Sequence, residues 1–298
     1  MFKTKTKIVL PILNKRVITF KGPTWFLAEN IYFDTVTDED FGTFHRELSD
    51  EYKNLVSVQT KCFYIMDPAI SDIKNGVRDI SILLKFLLNT FSFQNPIIIS
   101  FGAFLITKRK TRINTLLDLE SDVNYQKLKT LEYRLGSNTT REEINIFFTN
   151  LINTCKKDLS LYLTLDRFNR SFTRSEIIDK IIDLTICLES LLHTQNEVKF
   201  KFALYNSIIS SRNSSESQIH FKLLGELYDI RSSIVHGSSR STKTSQKIDQ
   251  LSVNIPTIFN ICKRAINYKL LYESEKREYA WQDHLKRIIF NPDEKIIK

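Results

Sequence analysis

Residues 227–237 read LYDIRSSIVHG, and the fold turns on whether this stretch ends a buried helix. Leu224, Leu227, Ile234 and Val235 recur at helical spacing and predict an apolar stripe. Arg231, four residues after Leu227 and four before Val235, falls inside that stripe, where an apolar residue is expected. Leaving a buried guanidinium unpaired costs several kcal/mol, so an acidic partner is required. The stretch IIDLTICLESLL, within a helix predicted over 175–193, is apolar nearly all round and marks a central helix. It carries two carboxylates, Asp183 and Glu189, and either can hold Arg231 through a two-pronged pair.

His236 stands at the predicted helix end, and Gly237 suits the left-handed residue that closes a helix. There the helix dipole favours the imidazolium, and a histidine that titrates near neutrality both takes and gives a proton. Cleavage of RNA by its own 2′-hydroxyl needs a base, an acid and a cation for the crowded phosphate. Arginine and histidine together offer those parts without a metal or cofactor. A second pair, Arg277 and His284 in REYAWQDH, reads instead as a solvated helix face, since no glycine cap follows it. His45, His193 and His220 read as packing or surface residues.

Composition narrows the class. The 298 residues are 42% hydrophobic and 26% charged, the balance of a globular chain long enough for two domains. Seven glycines and six prolines are few, which favours long helices over many short strands. Cys62, Cys155, Cys187 and Cys262 are widely spaced, with no C-x-x-C pair, and read as reduced thiols. The opening MFKTKTKIVLPILNKR has too short an apolar stretch for a secretory signal, and IIISFGAFLI at 97–106 is too short to span a bilayer. A cytoplasmic protein with no membrane partner is expected. The net charge of +9 is spread over both halves, with one dense run, KRKTR at 108–112, that reads as solvated cations on a loop. Between Asp229 and Asp249 no acidic residue occurs, so a polyanion can lie there without meeting a carboxylate.

Along the chain, KIVLPIL and RVITF in the first 45 residues read as strands. A helix is predicted at about 69–91, with Ile73, Val77, Ile80, Leu84 and Leu88 on one face, then a buried strand at 96–107. After Gly136, Ser137 and Asn138 the character changes, and Thr139 and Thr140 with Glu142 and Glu143 offer overlapping capping boxes. An α+β domain over 1–138 and a helical domain over 139–298 follow. In the second, helices are predicted at roughly 141–165, 175–193, 197–211, 216–236 and 250–290, the last interrupted near Pro256. SSRNSSES and GSSRSTKTSQ are read as loops.

The order RFNRSF (167–172), DLTICLESLL (183–192) and LYDIRSSIVHG (227–237) resembles the Apea-like branch of the HEPN superfamily, helical-bundle domains of bacterial defence and toxin systems. The resemblance covers about 165–240 and does not reach the N-terminal part. It implies a metal-independent endoribonuclease that works as a homodimer on RNA, with an antitoxin or another defence-system partner. Carried over, it assigns Arg231 to the phosphate, His236 to proton transfer and Glu189 or Asp183 to orientation. Nuclease members often have Asn after the arginine; here Ser232 stands there and can still hydrogen-bond. Ser232, with Arg240 and Lys243 from the acid-free stretch, completes the expected binding set. The alternative is a HEPN module without catalysis that binds RNA or protein and dimerises.

Overall fold

The computed structural model describes residues 7–11, 25–28, 31–35, 61–66, 73–91, 104–106, 141–192, 198–237, 242–275, 279–291 and 295. The chain divides into two compact units, Met1–Thr149 and Asn150–Lys298. RVITF, KRKTR and the break at 136–138 lie outside the described residues.

In the first unit, β1 (Lys7–Pro11), β2 (Trp25–Ala28), β3 (Ile31–Thr35), β4 (Lys61–Met66) and β5 (Phe104–Ile106) form one sheet. Its order is β2-β3-β4-β1-β5, and every described pairing is antiparallel. Register puts Ile31 opposite Ile65 and Phe33 opposite Phe63. Of the strand expected over 96–107, the described part is β5 alone. Helix α1 (Ile73–Phe91) buries Ile82, Leu83, Leu84, Phe86 and Leu87, whereas Ile80, expected on the apolar face, is half-buried. Phe86 stacks against Phe147 of α2 (Arg141–Lys157), with ring centroids 6.3 Å apart. Glu142 and Glu143 occupy the first turn of α2, where they complement the positive helix end.

The second unit is a helical bundle. The end of α2 is followed by α3 (Ser160–Thr173), α4 (Ile177–Leu192), α5 (Val198–Ser210), α6 (Ser214–Val235), α7 (Thr242–Ser252), α8 (Ile255–Ser274) and α9 (Trp281–Phe290). The central helix is α4, which packs against α3, α5, α6, α7 and α8. Ile181, Leu184, Cys187 and Leu188 have no exposed surface, as expected of a helix apolar nearly all round. Phe168 and Phe172 of α3 close on Phe259 of α8, the last two rings stacked at 4.3 Å. Cys155, Cys187 and Cys262 are free thiols inside the protein, and burial pushes the Cys187 thiol upward. Among the described residues, no helix is long and apolar enough to cross a membrane.

Three helix expectations need correction. The helix predicted over 141–165 is broken at Asp158, whose carboxylate accepts hydrogen bonds from the backbone N–H and the hydroxyl of Ser160 and so starts α3 afresh. GSSRSTKTSQ is not wholly a loop, because α7 begins at Thr242. Its polar composition argues against a helix, yet Thr244, Ile248 and Leu251 share one face and are buried, so packing decides. The helix predicted over 250–290 does break near Pro256, which sits in the first turn of α8 where its missing N–H costs nothing, but it is not continuous from there: α8 ends at Ser274 and α9 starts at Trp281.

One polar contact fixes how α3 lies on α4. The Asp183 side chain is 2% exposed, and its two carboxylate oxygens accept from Arg167 Nη1 and Arg174 Nε, each at 2.8 Å. Arg167 lies within α3 and Arg174 is the extended residue just past its end, so both reach Asp183 from the C-terminal part of that helix. Removing the carboxylate strands two guanidinium groups at the interface, each still partly in reach of water. Asp183→Ala is therefore expected to lower the unfolding free energy by about 3 kcal/mol, read from urea denaturation followed by circular dichroism. A loss below about 1 kcal/mol would show that the clamp holds little.

Candidate functional site

Helix α6 carries the candidate residues and is well defined at both ends. Asn213 caps it by accepting from the Glu216 N–H at 2.9 Å, while the Glu216 carboxylate accepts from the Arg212 N–H and from Arg264 Nη1. At the far end the His236 N–H donates to the Ser232 carbonyl and the Gly237 N–H to the Ile234 carbonyl. Gly237 has φ +80°, a left-handed conformation that disfavours other residues, as the sequence predicts for the closing position.

The buried face of α6 is formed by His220, Leu223, Leu224, Leu227 and Ile230. Ile234 is only half-buried and Val235 is exposed, so the expected stripe stops one turn before the helix does. Arg231 therefore lies at the edge of the interface, not within it. Its side chain is 27% exposed, and Nη2 reaches Glu189 Oε2 at 3.4 Å, a long and single contact. Among the described residues Arg231 Nε is buried with no hydrogen-bond partner, and the guanidinium makes only the one contact through Nη2.

Of the two carboxylates considered, Glu189 meets Arg231 and Asp183 does not. Six residues separate them, which turns them about 120° apart around α4. Asp183 faces α3, with Arg167 and Arg174, and Glu189 faces α6. Arg167, in RFNRSF, claims Asp183 and takes it from Arg231. The available signal was the placing of Arg167 and Arg174 ahead of a helix with an acid in its apolar face.

His236 is exposed, and among the described residues no hydrogen bond or ion pair joins its ring to Arg231, Glu189 or Asp183. Five residues on from Arg231, it stands about 140° around the helix and about 7.5 Å along it. Ser232 is half-buried, and its carbonyl takes the His236 N–H. Arg240 lies outside the described residues, as does the side chain of Lys243 in the first turn of α7.

The remaining histidines behave differently. His284, read as part of a solvated face, has no exposed surface. Its Nε2 pairs with the Tyr268 hydroxyl at 2.9 Å, and the ring packs among Tyr272, Tyr279 and Trp281. Arg277, His45 and His193 are outside the described residues. His220 is buried with Nδ1 against the Ser210 hydroxyl at 2.9 Å, and burial pulls its pKa down.

No family model, curated protein or solved structure matches the chain.

Burial raises the Glu189 carboxyl above its ordinary value, and the nearby Arg231 guanidinium only partly reverses this. A carboxyl raised by folding makes its ionised form a net cost to the fold. That cost is absent below the unfolded value and complete once the pH has risen past the folded one. Glu189→Gln cannot ionise, so its stability relative to the parent is expected to improve between pH 4 and pH 7, by under about 1 kcal/mol given the exposure of the pair. Urea denaturation of both proteins at the two pH values checks this; a relative loss at pH 7 would mean that the ion pair outweighs burial.

Proposed function

We propose that the chain is a metal-independent endoribonuclease that acts as a homodimer. The observation that carries this is the end of α6: a guanidinium held by one long contact, one turn before a solvent-facing histidine. It stands at the start of a stretch, 230–248, without a single carboxylate. Arg231 answers the phosphate, which competes with the weakly held Glu189 for the guanidinium. His236 moves the proton. As the 2′-oxygen bonds to phosphorus, its proton passes to a base, the bond from phosphorus to the 5′-oxygen breaks, and that oxygen takes a proton from an acid. The products are a 2′,3′-cyclic phosphate and a free 5′-hydroxyl.

One histidine fills one of those two proton roles, and a second copy of α6 across a two-fold axis supplies the other. The resemblance to Apea-like HEPN domains supports the same assignment and its setting in a bacterial defence or toxin system, with an antitoxin or other partner. We further assign 1–138 to an α+β domain that senses or selects RNA.

The 140° between Arg231 and His236 on one helix favours a second reading, a HEPN module that binds RNA and dimerises without cutting. Purified protein incubated with single-stranded RNA in excess EDTA separates the two. On the nuclease reading, RNA ends in cyclic phosphate, and His236→Ala slows cleavage by roughly 10² to 10⁴. Its melting temperature should stay that of the parent, because the ring is exposed. If the parent binds RNA but leaves it intact with and without EDTA, the binding module stands instead.

A further inference from the structure

Alongside the face of α6 that meets α4 there is a second face, directed to solvent. Gly225, Asp229, Ser232 and His236 recur at spacings of four, three and four, so they form one line along the helix. At its N-terminal end the line runs into a groove of about 700 Å³ between α5 and α6. Phe200 of α5 and Phe221 of α6 stand in its wall, their rings edge to face at 6.1 Å, and Phe200 is 56% exposed. Gly225 forms the floor: a Cβ placed there would meet nothing within 4 Å. A glycine in mid-helix costs stability relative to alanine, and among the described residues no close approach of another chain segment explains this one. Its effect is to leave room beside two aromatic rings.

The charges of the groove decide what it takes. Lys199 is held by Asp229 at 2.7 Å, and Glu226 offsets Lys222, so the lining has no net charge. A phosphate gains little there, whereas a flat uncharged ring gains contact with the phenyl faces. We infer that the α5–α6 groove is a subsite for an unstacked nucleobase of single-stranded RNA, a few nucleotides from the phosphate that Arg231 binds and at which His236 moves the proton. The distance along α6 from Gly225 to His236 is about 16 Å. Single strands are read in this way because bases that are free of a duplex stack on aromatic side chains. The inference rests on the ribonuclease reading for its polarity along the line, and it adds what that reading lacks, a preference for unpaired RNA.

The test uses the full chain and a short fluorescent 2′-O-methyl oligoadenylate, which offers bases and phosphates but no attacking hydroxyl. Gly225→Leu builds a side chain out from a Cβ position that meets nothing within 4 Å and into the groove, and Phe200→Ala removes an exposed ring. Each is expected to weaken binding about tenfold by fluorescence anisotropy. An abasic strand of equal length should bind parent and variants alike. Unchanged affinity of both variants for the oligoadenylate overturns the subsite and leaves the nuclease reading intact, since their cleavage of ordinary RNA would also be unchanged. Gly225→Leu that turns a dimer into a monomer with unchanged RNA affinity assigns the groove to a second copy and also overturns it. A parent that neither binds the oligoadenylate nor cleaves RNA removes both readings together.

Discussion

A carboxylate set inside an apolar helix has to be answered by cations, and Arg167 of α3 with Arg174 just past its end answers Asp183 in this bundle. Desolvation makes an unpaired Asp183 intolerable, so the rotation of α4 about its own axis is restricted to positions that keep the clamp closed. With α4 held in that rotation, Glu189 necessarily faces α6, six residues and about 120° away. Arg231 then finds one distant oxygen where a closer two-pronged pair was conceivable. The strength of the first ion pair and the looseness of the second are thus two results of one geometry.

That looseness is where structure meets chemistry. A fully satisfied guanidinium is a structural element; Arg231 is held only by one long contact through Nη2 to a carboxylate whose ionisation burial opposes. The residues around it stand on a helix with a capped start and a glycine-closed end, so their directions are set by backbone hydrogen bonds and not by a loop. Arg231 looks inward to α4, while the line from Gly225 to His236 looks outward.

The helices from α4 to α6 lie within a few residues of where periodicity put them, because each buries a stripe that recurs every three or four residues. Gly237 was legible as the helix end, since few other residues accept a positive φ. Where composition and packing disagreed, composition misled. Thr242–Ser252 has the polar look of a loop but folds against the bundle through Ile248 and Leu251. His284 has the surroundings of a solvated residue along the sequence, yet the aromatic rings of α8 and α9 enclose it.

By itself, then, the sequence determined that a central apolar helix with two acids must face an arginine near the end of another helix, since burial demands a counter-charge and periodicity locates the helices. Which acid meets which arginine was a different kind of question. Asp183 and Glu189 were equal candidates for Arg231, and only the tertiary arrangement of α3, α4 and α6 gave Asp183 to Arg167 and Arg174 and Glu189 to Arg231. The physical reason is that ion pairing depends on the rotation and separation of helices. Those are set by the jigsaw of buried side chains on every neighbour at once, and no local stretch of sequence contains that sum.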